Sequence, residues 1–148
     1  MRCYATVGDQ TVTSSVATVL TITATAAVRP KIVHFWLGCS TDELDDMLLW
    51  GVQRTTAAGT STALTPEELD SGDPAATATA GDNHTVEPTY TSAAYIFHVN
   101  VNTRGAYQWH AYPGREPTAP ATAANGFGFH IIHASSTPDV RVTLHHGE

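Results

Sequence analysis

An antiparallel β-sandwich of jelly-roll type is the fold this sequence predicts, and three observations carry the prediction. Short segments alternate apolar and polar residues with a period of two. Thr and Val, whose branched β-carbons suit a pleated surface, are abundant, while only 14% of residues are charged against about 25% in an average domain. No segment supports a long amphipathic helix. The 148 residues suit one domain, residues 1–148, able to bury roughly two thirds of its unfolded surface.

Residues 16–24 read as the first strand, and Arg29-Pro30 breaks the ladder before residues 31–39 resume it. There Val33, Phe35, Leu37 and Cys39 share one face, with Ile32, His34 and Trp36 on the other. Residues 40–46 form a polar turn in which Ser40 or Thr41 caps one short helical turn. The next strand, residues 47–55, turns Leu48, Trp50 and Val52 inward.

Residues 56–87 lose nearly all large apolar side chains and read as a long surface loop, with one helical turn at 65–69 opened by Pro66. Tyr95, Phe97, Val99 and Val101 then alternate with Ile96, His98, Asn100 and Asn102, and a turn at Thr103-Arg104-Gly105 predicts a hairpin to residues 106–112. A second loop, Pro- and Ala-rich, spans 113–125. Strands at 127–132 and 140–145 complete a set of about seven or eight. The expected core is Leu20, Ile22, Val33, Phe35, Leu37, Trp50, Phe97, Val99, Trp109, Phe129, Val142 and Leu144.

The net charge is −7 and the seven basic residues are scattered, which argues against direct nucleic-acid binding. No apolar run approaches the length of a membrane helix, and no signal-like core follows Met1, so we expect cytoplasmic synthesis and no membrane partner. Cys3 and Cys39 would pair only if their strands were neighbours, and a reducing compartment disfavours it.

Eight histidines call for a test of metal chemistry. His130 and His133 are three apart on a strand, which sends their rings to opposite faces. His98-Val99-Asn100 resembles half of a cupin ligand pair but lacks the second His and the following Glu. His145-His146 reads as a solvated tail. Asp42, Glu43, Asp45 and Asp46 lack the spacing of a calcium loop and read as a solvated acidic turn. No nucleophile elbow, phosphate loop or zinc-protease motif occurs. Cys39 is in phase with core residues. The glycosylation sequon Asn83-His84-Thr85 carries no meaning without export. The reading is a chain with no catalytic residue, cofactor or metal, and not an enzyme. Trp36 and Tyr112 sit on the outward phase of their strands, where a loop or a second subunit would cover them.

Several segments carry a family likeness: Gln53-Arg54-Thr55-Thr56 before a Gly/Thr/Ser loop, the stretch from Ala63 to Ala75, the alternating strand from Tyr95 to Val101, and Tyr107-Gln108-Trp109. In their order and spacing the chain resembles the jelly-roll decoration, or cement, proteins of tailed-bacteriophage capsids. The resemblance implies a homotrimer on the capsid exterior, with the major capsid protein as partner. The candidate interface is Trp36, Tyr112, Thr65, Pro66, Glu67, Leu69, Pro113 and Arg115. Two other readings remain: a carbohydrate- or receptor-binding module of a phage tail or fibre, stacking sugars on Trp36 or Tyr112, and a cupin-like metal enzyme.

Overall fold

The computed structural model describes residues 1–13, 16–40 and 45–148, and within them every regular element is a strand. They are β1 (Cys3–Thr11), β2 (Ala17–Thr23), β3 (Lys31–Cys39), β4 (Met47–Ala57), β5 (Thr60–Leu64), β6 (Glu67–Glu68), β7 (Thr79–Val86), β8 (Thr89–Asn102), β9 (Ala106–His110), β10 (Gly126–His133) and β11 (Asp139–Gly147). They form two antiparallel sheets, β6-β1-β11-β3-β9 (sheet A) and β5-β7-β2-β10-β4-β8 (sheet B), packed through one apolar core. Without the insert β5–β7, the sheets reduce to β1-β11-β3-β9 facing β2-β10-β4-β8. That order is the eight-stranded jelly roll.

The expected loop at 56–87 is in fact this insert. β7 and β5 extend sheet B beyond β2, and β6 extends sheet A beyond β1, so the insert closes one side of the sandwich. Glu67 and Glu68 pair with Ala5 and Tyr4, which replaces the expected helical turn at 65–69 with a short edge strand. The turn expected to be capped by Ser40 or Thr41 falls largely on residues 41–44, outside the described residues.

Alternation also hid β1, whose outward residues lie among polar neighbours while Tyr4 and Thr6 turn inward against β11. The expected hairpin at 95–112 does not form. The turn at 103–105 instead carries the chain between sheets, because β8 pairs with β4 and β9 with β3.

Bulges account for the core residues that differ from expectation. Between β3 and β11 the register steps from His34↔His145 to Ile32↔His146, leaving Val33 as the extra residue. Ile32 therefore takes the buried place expected for Val33. A step between Val52↔Phe97 and Gln53↔Tyr95 likewise turns Tyr95 out of the core. Phe97, Val99 and Trp109 pack against the core but stay partly exposed.

His145 and His146 are no tail. Both belong to β11, and His146 is fully buried with its ring stacked on Tyr4 at 5.4 Å. The 113–125 loop is fastened by its own chain. Arg29 Nε donates to the Ala119 carbonyl (2.9 Å), and Arg54, lying over the Phe127 ring, donates to the Thr118 carbonyl (3.0 Å). Cys3 and Cys39 stand at opposite ends of sheet A, and no disulfide joins them.

Candidate functional site

β3 runs between β11 and β9, and its register lays three rows of side chains across the outer face of sheet A. His145, His34 and His110 form the first row, Thr143, Trp36 and Gln108 the second, Arg141, Gly38 and Ala106 the third. The His34 ring lies 3.6 Å from the Trp36 ring, 5.2 Å from His110 and 5.8 Å from His145, with Trp36 edge-on to His145 at 4.9 Å. Burial, and then the neighbouring His110 and His145, push the His34 pKa down; burial does the same to His145. Among the described residues, no group of three or more His, Cys, Asp or Glu is placed to hold a metal.

Gly38 and Ala106 leave the third row nearly bare, and a cavity of about 180 Å³ opens there between Trp36 and Arg141, bordered by Ser40 and Thr143. Beyond Arg141 and Ser40 lies a second hollow of about 210 Å³, lined by Asp9, Gln10, Asn83 and Asp139. Between the two, Arg141 grips Asp9 across β11 and β1, Nε to Oδ1 at 2.6 Å and Nη2 to Oδ2 at 3.3 Å. These hydrogen bonds hold the guanidinium still more firmly in its charged form.

The outer face of sheet B carries a different group. The His130 ring stacks on Tyr90 at 4.3 Å and lies parallel to Tyr95 at 6.2 Å, and Tyr95 stacks on His98 at 5.0 Å. Burial and then His98 push the His130 pKa down to about 4. Thr18 and Glu87 hydrogen-bond beside the Tyr90 hydroxyl, which meets Thr18 Oγ1 at 2.7 Å, and Gln53 Nε2 donates to the Thr91 carbonyl at 2.6 Å. These contacts fasten residues 87–95 over the sheet.

Among the described residues, no further strand covers the side of the sandwich opposite the insert. β8 and β9 are the edge strands there, and between them Phe97 meets Tyr107 at 5.2 Å and Trp109 at 6.4 Å. Neither strand contains Asp, Glu, Lys or Arg.

The candidate interface residues do not converge. Thr65, Glu67 and Leu69 are exposed at the β6 edge of sheet A, where Pro66 is buried. Tyr112, 78% exposed, lies with the exposed Pro113 and Arg115 just past β9, at the other edge. Trp36 is half-buried among its histidine neighbours. The outward phase of His34 and Trp36 was visible in the alternation of β3; the partners His110, His145 and Arg141 are set by pairing across more than 70 residues. Comparison of the chain with family models, curated proteins and solved structures finds no match.

Proposed function

We propose that this chain is a structural virion protein, a decoration or cement protein that binds the exterior of a phage capsid as a homotrimer, touches the major capsid protein and catalyses nothing. One observation supports assembly above all: the open β8–β9 side, with half-covered aromatics and no charged residue in either strand. Free strand edges are ordinarily guarded by Lys, Pro or a covering element, and among the described residues the insert supplies such cover on the opposite side. Closed cyclic association of three such sides removes every free edge of this kind, and the absence of charge leaves no like-charge repulsion between them. The resemblance in order and spacing to capsid decoration proteins supports the capsid as the surface bound. A trimer touches several shell subunits at once, so weak single contacts add to durable attachment.

Light scattering of the free protein is expected to give the trimer mass. Asn100→Lys with Gln108→Lys, both at exposed positions of the edge strands, is expected to shift it to monomer without loss of fold. Cryo-electron microscopy of intact heads should show the protein on the capsid exterior. A monomer at micromolar concentration, with bare capsids, would overturn the proposal.

A further inference from the structure

We propose that the hollow at Gly38 is a binding site for a neutral glycan, with one pyranose ring against Trp36 and the hydroxyls of the next unit on the Arg141–Asp9 pair. The starting point is a glycine that the fold does not need. At six of the seven glycines in the strands, an added β-carbon would lie under 3.0 Å from a neighbouring atom, so a neighbour would have to shift, which is easy only at Gly147, where the neighbour is the flexible, exposed Met1 side chain. At Gly38 the nearest atoms are Ala106 Cβ at 3.8 Å and the Gly105 carbonyl oxygen at 4.0 Å, ordinary contact distances. Nor does the backbone require it, since the positive-φ glycines are Gly59 and Gly114. Glycine inside a strand costs stability, and a bare strand position with open space above it is where a ligand can approach the backbone.

The walls of the hollow suit a sugar. Trp36 is held by His34 on one side and His145 on another, so its ring is already positioned before a ligand arrives. An indole offers a flat apolar surface to the C–H face of a pyranose. Beyond it, the Arg141–Asp9 pair offers donors and acceptors together, matching paired hydroxyls, with Ser40 and Thr143 at the rim. The two hollows share Ser40 and Arg141, and together they reach the lower end, roughly 300 Å³, of ligand-pocket volumes.

The charge pattern selects a neutral glycan. Arg141 is already neutralised by Asp9 and the chain carries a net −7, so a carboxylated or sulfated sugar would be repelled. The site lies on the outer face of sheet A.

The test is an array of neutral and anionic glycans probed with the labelled full-length protein, followed by calorimetric titration of the strongest neutral hit. Binding of neutral oligosaccharides is expected. Gly38→Leu, which fills the hollow at a position with room for a side chain, and Trp36→Ala should each weaken affinity about tenfold or more, while Trp36→Phe stays within about threefold. Thermal melting confirms the fold of each variant; if Trp36→Ala unfolds, Gly38→Leu decides. Absence of any neutral hit, binding confined to anionic glycans, or an affinity unchanged in folded Gly38→Leu would overturn the proposal.

Discussion

The Tyr90 hydroxyl occupies the space that a β-carbon at Gly128 would need, and the His130 ring with Ile132 does the same at Gly51, where a β-carbon would lie 2.7 Å from Ile132 Cδ1 and 2.8 Å from His130 Nε2. Both glycines make room for rings lying flat on sheet B, so Gly51→Ala and Gly128→Ala should each cost about 1–3 kcal/mol as overpacking. Gly38→Ala, meeting nothing closer than 3.8 Å, should be neutral or stabilise by up to about 1 kcal/mol. Urea denaturation of the three variants measures the contrast, and equal losses at all three would refute it.

Phe35 is 1% exposed, with the rings of Trp109, Phe129 and Phe97 at 5.2, 5.3 and 5.5 Å. Phe35→Ala should therefore cost about 3–5 kcal/mol, the full price of a buried aromatic cavity. Phe97 lies at the open edge, so Phe97→Ala should cost roughly half as much in the free protein. Denaturation midpoints at matched slopes rank the two, and the reverse order would move the centre of the core.

Burial pushes His130 and His146 down to about 4, in the second case despite the Glu148 carboxylate 3.7 Å away. Their unfolded value is 6.5, so between about pH 6.5 and 4 the unfolded chain binds more protons and stability rises with pH. The contribution is complete above the unfolded value and is lost on acidification through that window, on the order of 1–3 kcal/mol per histidine. Asp46, drawn down to about 2 by the Ser135 and then the Ser136 hydroxyl, has its own stabilising effect above its ordinary value of 3.8 and loses it only at lower pH. Melting temperatures from pH 7.5 to 4 should fall steadily for the wild type and flatten in His130→Gln/His146→Gln.

Cys3 faces Gly147 and, one strand further, Lys31, whereas Cys39 is eight residues along β3 from Lys31, roughly 26 Å away at the rise of a strand. No disulfide spans that distance. Thiol titration of the unfolded protein should count two reactive thiols, and a reductant should leave the melting temperature unchanged.

Alternation along the chain suffices for the fold class, the inward phases of β2, β4, β10 and β11, and the outward phase of Trp36, because it is a local property that survives whatever the strands pair with. Its errors cluster where alternation breaks or is masked. A bulge costs one residue and inverts the phase on one side of it, which exchanged Val33 for Ile32 and turned Tyr95 outward. Strands β5 to β7 carry small and polar side chains, and only pairing with β1 and β2 makes them strands. The hairpin expected at 95–112 gave way because a turn of three residues allows either a paired return or a crossing between sheets, and β9 finds its partner in β3. The proposed glycan site depends on the same long-range pairing. Gly38, Arg141 and Asp9 belong to three strands joined by hydrogen-bond register across up to 132 residues, and no local pattern in a chain fixes which strand lies beside which.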